Sequence, residues 1–426
     1  MCLYPQYIRN PKFTINAKNG GNVPPVNDMR TMRIPITCGR CSECRKQKAS
    51  AWMTRIIEEV RHDDQGTFVT FTFTDESILE LRQWVLEKKN AKAEGYNLEN
   101  EIAKRAVELW RERWRKETGK SPKHWLITEL GHKNTERIHI HGIVWSQEKK
   151  KERDERLQRL WQYGRNNYYG RYMNERTGAY ITKYMNKTDL QHPNYTPVIL
   201  TSPGIGAEYC RTDRAELHRF RGRETRNYYV HRNGFKGTLP TYYKQKLYTD
   251  SERELLWIYS MDKNIAWVKG EKIEHLDTVE GLNNYMTALD YHRAHDKMLG
   301  YAGRWKSQGE IDYETEKRNE LMRKRICKLK NEKYEYTPGK SSICEGDKKT
   351  NKSIWQFNSK EESERINRDI RQRFENFVYP EESEQSEYCR EEIYERAMRN
   401  IRANEYKEKC SLERVNEETG EIWYEY

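Results

Sequence analysis

The 426-residue sequence contains no long hydrophobic run. Its first ten residues, MCLYPQYIRN, lack the apolar core that a secretory signal requires, and no later stretch approaches the length that spans a bilayer. The expectation is a soluble intracellular protein without a membrane partner. Hydrophobic residues make up only 35% of the chain and charged residues 34%, which suits one modest core with charged, helical extensions. No G-x-x-x-x-G-K-[ST] loop occurs, so any strand unwinding would fall to another protein. The nine cysteines are odd in number and follow no secretion signal, which argues against a disulfide scaffold.

What is present is positive charge mixed with aromatic rings. Lys and Arg total 78 against 66 Asp and Glu, a net +12, with 29 Tyr and 12 Trp. Such surfaces attract phosphates without regard to sequence, and their rings can stack on unpaired bases. Diluted over so long a chain, the same charge also suits an ordinary solvated surface. The segments RWRKETGKSPKHW (113–125) and LPTYYKQKLY (239–248) are the basic, aromatic candidates for holding DNA, and packed surface rings are their plain alternative.

Along the chain, residues 1–37 are rich in Pro, Asn and Gly. A helix is expected from about Arg45 to Val60, then a strand in GTFVTFTFT (66–74), where Phe and Val alternate with Thr. Residues 77–118 read as one or two helices. KHWLITEL, a polar turn and IHIHGIVW form a β-hairpin. Residues 150–162 read as helix, YGRNNYYGRYMNERTG as strand or loop, and AYITKYMNKTD (179–189) as helix again. This order predicts an α+β fold with a central antiparallel sheet flanked by helices and covered on one face. From about Asp262 onward the charged stretches read as helices of poor core-forming capacity or a partly disordered tail.

Chemistry concentrates in two places. His139 and His141 lie two apart on a strand, so their imidazoles project from one face while Ile140 points to the other. Glu129, near the end of the preceding strand, can join them by hairpin pairing to make a divalent-metal site with open positions. Two unconnected histidines on an exposed hairpin are the plain alternative. Downstream, Tyr180 and Tyr184 are each followed three residues later by a lysine, Lys183 and Lys187. Four helical residues turn through about 400°, leaving the two phenols about 40° apart and about 6 Å apart along the axis. This is either an aromatic packing stripe or a pair of equivalent nucleophiles. A phenol ionises near pH 10, so it attacks at neutral pH only where a cation or metal-bound substrate favours phenolate. A lysine one turn away supplies positive charge, although lysines on exposed helices are usually only solvated.

His-hydrophobic-His followed by a helical tyrosine motif resembles the signature of HUH endonucleases, which nick single-stranded DNA to start rolling-circle replication. More narrowly, YITKYMNK resembles the two-tyrosine motif of microvirus replication initiators, and MCLYP, CGRCSECR and PGIG resemble their gokushovirus branch. The resemblance spans roughly residues 1–250. It implies Tyr180 and Tyr184 as nucleophiles, His139 and His141 as ligands of Mg²⁺ or Mn²⁺, Glu129 as third ligand, and Lys183 and Lys187 as catalytic helpers. It further implies single-stranded and replicative-form viral DNA as substrate, host helicase and DNA polymerase as partners, and the bacterial host cytoplasm as location. The expected divisions are 1–60, an amino-terminal segment; 61–190, the HUH nuclease domain; 191–260, its basic aromatic extension; and 261–426, a charged helical or partly disordered region. The competing expectations are a noncatalytic zinc-binding DNA-binding or packaging protein, and an HUH relaxase or transposase.

Cys38, Cys41 and Cys44, spaced C-x2-C-x2-C, form the remaining cluster. With Cys2 they could build a tetrahedral structural Zn²⁺ site. An iron–sulfur cluster shares the spacing, and three reduced thiols before a helix are the plain alternative.

Overall fold

The structure is a computed structural model. It describes residues 1–17, 19–132, 136–146, 148–169, 194–232, 234–301 and 308–332, together with Gly178, Tyr180, Ile181, Met185, Asp189, Gln191 and His192 and the backbone of 414–415 and 422–423. The chain forms two compact units, Met1–Lys349 and Thr350–Tyr426. In the second, Arg414–Val415 pairs antiparallel with Ile422–Trp423.

In the first unit, a small hairpin of β1 (Gln6–Arg9) and β2 (Arg33–Ile36) precedes helix α1 (Ser42–His62). Then come β3 (Thr67–Phe71), α2 (Asp75–Lys88), α3 (Gly95–Thr118), β4 (Lys123–Leu130), β5 (Ile138–Trp145), α4 (Lys150–Leu160), β6 (Asn166–Tyr169) and β7 (Ile199–Thr201). The five strands β3–β7 make one sheet in the order β6-β3-β5-β4-β7, every neighbouring pair antiparallel. Two short hairpins and two helices follow: β8 (Tyr228–Val230) with β9 (Lys236–Thr238), α5 (Thr241–Leu247), α6 (Asp250–Met261), and β10 (Ala266–Val268) with β11 (Glu271–Ile273). Helices α7 (Val279–Met298) and α8 (Gln308–Leu329) complete the described part of this unit.

Strand alternation sorts side chains onto two faces. Val69, Phe71, Leu126, Leu130, Ile138, Ile140 and Val144 point to one, where α2, α3 and α4 add Ile78, Leu81, Ile102, Trp110 and Leu157. Phe71 and Trp161 stack there at 4.3 Å. Complete burial of one such aromatic stabilises by about 1.5–3 kcal/mol. The helix boundaries follow from local chemistry. Thr74 and Ser77 form a reciprocal capping box at the start of α2. Gly119, at φ +76°, ends α3 in the left-handed region that glycine occupies without steric cost.

The opposite face was expected to be open, but α1 covers it. Ala49, Ile56 and Val60 pack there on Phe68, Trp125, Ile127, Ile143 and Trp145. The charges that disguise this helix as a surface element are paired inside. Glu58 binds Arg61 and Arg214, and Glu59 accepts from Lys123 Nζ at 2.7 Å and from the Gly206 amide at 2.7 Å. The PGIG loop is thereby docked on α1, where Arg55 Nε also donates to the Ile205 carbonyl. Gly206, at φ +73°, has no room for a side chain: a Cβ would lie 2.6 Å from the Arg55 carbonyl oxygen.

A second departure concerns α8. Its sequence promises little core, yet Met322 and Cys327 are buried, Met322 within the α2–α3 core. Its buried Arg318 reaches Glu99 at 2.5 Å and Glu136 at 2.7 Å.

Candidate active site

The α1-covered face of the sheet also carries the histidines. On β5, Ile138 and Ile140 enter the α2–α3 core, which turns His139 and His141 toward α1's side. In the β4–β5 register Glu129 lies opposite His139, and on the other flank Thr70 of β3 lies opposite His141. The close approach of β4 and β5 beside His141 depends on Gly142, where a Cβ would meet the Trp125 carbonyl and lie 2.7 Å from Leu126 Cα.

The geometry is convergent. Glu129 Oε2 lies 3.2 Å from His139 Nε2 and 3.0 Å from His141 Nε2, and the two imidazole centroids are 4.8 Å apart. The remaining nitrogens face protein: His139 Nδ1 is 3.3 Å from the Arg137 carbonyl oxygen, and His141 Nδ1 is 3.0 Å from Thr70 Oγ1. A carbonyl can only accept, so His139 donates through Nδ1–H, leaving its Nε2 with a lone pair facing the carboxylate. Arg137 is itself fixed by a two-pronged bond to Asp75, at 2.8 and 2.6 Å, at the start of α2. Two imidazole nitrogens and a carboxylate oxygen on one side, each ring oriented from behind, fit a divalent cation with positions left for water or substrate.

The tyrosine segment crosses this same face. Gly178, Tyr180, Ile181 and Met185 have helical backbone, and Ile181 and Met185, one turn apart, are buried against Phe68 and α1. Tyr180 stands beside that buried stripe and is 49% exposed, which separates it from a packed aromatic. Its ring meets Phe68 edge-on at 6.2 Å, and Phe68 stacks on His141 at 6.3 Å. The expected residues Lys183, Tyr184 and Lys187 lie outside the described residues.

A neighbouring network was not foreseen. Asp189 Oδ2 lies 2.7 Å from His192 Nδ1 and 3.1 Å from His132 Nε2, while His192 Nε2 lies 2.8 Å from Glu136. Burial opposes the charged forms, yet hydrogen bonds hold Asp189 down at about 2 and raise His192 above the ordinary imidazole value. His192 with carboxylates on both nitrogens favours imidazolium, which has no lone pair for a metal. The trio is therefore an ion-pair network, unlike the Glu129 site. Its only sequence signal was the three-residue spacing of Asp189 and His192.

Cys2, Cys38, Cys41 and Cys44 also converge, their sulfurs within 4.8 Å of one another, and could hold a metal ion such as zinc. The basic aromatic segments behave differently from stacking platforms: Trp114, Trp125, Tyr243 and Tyr248 are all buried. Tyr242 lies over the Arg55 guanidinium at 4.1 Å, and Trp52 does the same from the other side.

Residues 66–189 match a family of replication-associated proteins of the ORF2 kind. The matched segment begins just before β3 and ends at Asp189, and so contains Glu129, both histidines and the tyrosine pair. The match supports a role in initiating DNA replication and, with it, DNA binding. No curated protein and no solved structure matches the chain. Among the described residues, no helix is long and apolar enough to cross a membrane.

Proposed function

We propose that the chain is a rolling-circle replication initiator of the HUH type that nicks and rejoins single-stranded DNA through tyrosine. The observation that carries this reading is the convergence of His139 Nε2 and His141 Nε2 on one Glu129 oxygen, at 3.2 and 3.0 Å, beneath the helix that bears Tyr180. The family match over the same residues supports it.

A divalent cation held by Glu129, His139 and His141, Mg²⁺ or Mn²⁺ by the resemblance, would polarise a phosphate oxygen and favour attack at phosphorus. Tyr180 or Tyr184 supplies the nucleophile. Its phenolic oxygen forms a bond to phosphorus, the bond to the 3′ oxygen breaks, and that oxygen takes up a proton as a 3′ hydroxyl. Lys183 and Lys187 are assigned the charge that favours phenolate. The 5′ phosphate stays on the enzyme, and one phosphodiester replaces another, so joining needs no outside energy source. The second tyrosine then cuts the regenerated origin, and the released 3′ hydroxyl attacks the first linkage to close a circle. In this reading the bacterial host supplies helicase and polymerase, and the protein works in the host cytoplasm on phage DNA.

The test uses single-stranded oligonucleotides tiling the viral strand, incubated with the full chain and Mn²⁺ and resolved on a denaturing gel. A covalent adduct is expected, with the modified peptide containing Tyr180 or Tyr184. No adduct with any divalent cation overturns the nuclease reading. An adduct that survives combined Tyr180→Phe and Tyr184→Phe overturns the choice of nucleophile.

A further inference from the structure

We propose that Cys2, Cys38, Cys41 and Cys44 bind one zinc ion as a closed tetrathiolate centre, and that this centre clamps the start of α1 to the β10–β11–α7 segment. Cys38 Sγ and Cys44 Sγ are 3.8 Å apart. A disulfide would bring them to about 2.05 Å. Four sulfurs at about 2.3 Å from a tetrahedral zinc ion lie about 3.8 Å from each other along each edge. A multi-iron cluster would spread its cysteine sulfurs farther apart.

The surroundings suit thiolates rather than four buried thiols acting as small hydrophobes. The amides of Tyr4 and Cys38 donate to Cys2 Sγ at 3.3 and 3.2 Å, and the amide of Cys41 donates to Cys38 Sγ at 3.4 Å. A neutral thiol is a poor acceptor, whereas a metal-bound thiolate gains from each such donor. Cys2, Cys41 and Cys44 are buried and Cys38 half-buried, so no position is left open for substrate or water, as a structural site requires.

The clamp follows from what these cysteines touch. Cys2, Leu3, Cys41 and Cys44 pack with Val268 of β10, Ile273 of β11, and Ala288 and Leu289 of α7. Immediately beside them Asp296 of α7, fully buried, accepts from the Ser42 amide at 2.8 Å and from Ser42 Oγ at 2.7 Å, and binds Lys269 Nζ at 2.7 Å. A carboxylate at the first turn of α1 also complements the helix dipole. Zinc would thus fix the amino-terminal end of the helix whose later turns cover the histidine face.

The full chain is purified without added metal and its metal content measured. About one zinc per chain is expected, released by a mercurial thiol reagent and absent from Cys38→Ser and Cys41→Ser. Zinc-free, well-folded parent protein, or iron in place of zinc, overturns the assignment. Should both variants fail to fold, parent protein produced in cobalt-containing medium must show the intense visible bands of tetrahedral cobalt thiolate, and their absence is equally fatal. Hydrogen exchange then tests the clamp. Zinc removal should strip protection from residues 1–9, the first turns of α1 and residues 266–298 while sparing β3, β4 and β5. Unchanged exchange there, or uniform loss throughout, sinks the clamp. Neither readout involves DNA, so this site and the nuclease reading stand or fall separately.

Discussion

The chain holds two convergent donor clusters that differ in almost every physical respect. The histidine cluster sits mid-strand, uses three donors, and keeps its groups partly open, with side chains 12–23% exposed. The cysteine cluster sits at a helix start, draws four sulfurs from two separated stretches of chain, and buries three of them. An open set with an unfilled coordination sphere suits chemistry, whereas a closed set suits holding chain segments together. The difference also shows in what orients the donors. Neighbouring strands and a backbone carbonyl brace the histidines, so their geometry is that of the sheet itself. The cysteines lie in an irregular stretch whose arrangement the metal would help to create.

The largest effects should come from removing one donor from each. His141→Ala should lower adduct formation about 10³-fold or more, the worth of several kcal/mol of charge stabilisation, and leave the thermal midpoint within a few degrees of the parent. Cys38→Ser should lower that midpoint by about 10 °C or more, since zinc binding is worth several kcal/mol at about 2–4 °C each. Adduct assays and calorimetry on both variants check the contrast. A midpoint that falls as far in His141→Ala as in Cys38→Ser would erase it.

A smaller effect should come from behind the histidine. Thr70→Val keeps the shape but removes the hydroxyl 3.0 Å from His141 Nδ1. Outer partners of metal-binding histidines typically matter 10–100-fold by the usual order of magnitude, so an increase of about that size is expected in the Mn²⁺ concentration needed for half-maximal adduct formation. Rescue by saturating Mn²⁺ distinguishes this from damage to the sheet, and an unchanged Mn²⁺ requirement would show that Thr70 does not orient the ring.

Thr70 also marks where sequence reading stops. The face shared by His139 and His141 follows from strand alternation, and Glu129 follows from a hairpin with a short loop, because both are local. Thr70 comes from a pairing between strands 71 residues apart, and nothing within β3 announces its partner. The sheet and its flanking helices were legible for the same local reason. The burial of α1 was not, because Glu58 and Glu59 look like solvent-facing charge until Arg214, Lys123 and the Gly206 amide reach them from distant stretches. Arg318 in α8 misleads in the same way, its charge answered by Glu99 and Glu136 from well upstream. Charge patterns report exposure only when the partners are near in sequence.

The gentlest probe concerns His132, Asp189 and His192, which resemble the histidine centre in composition but not in protonation. Asp189, depressed to about 2, contributes stability that is present above the unfolded carboxylate value of about 3.9 and is lost as pH falls through about 2. His192, raised, contributes stability that is fully present below its unfolded value of about 6.5 and is lost as pH rises through its folded value. The network should therefore stabilise most between about pH 4 and 6.5. Urea unfolding of parent and His192→Asn at pH 5, 7 and 8.5 should show a stability gap that narrows as pH rises. Adding Mn²⁺ or Zn²⁺ should leave that gap unchanged, because both nitrogens of His192 face carboxylates. A gap that is flat with pH, or one that widens with metal at pH 8.5, would move this trio from the ion-pair class to that of the Glu129 site.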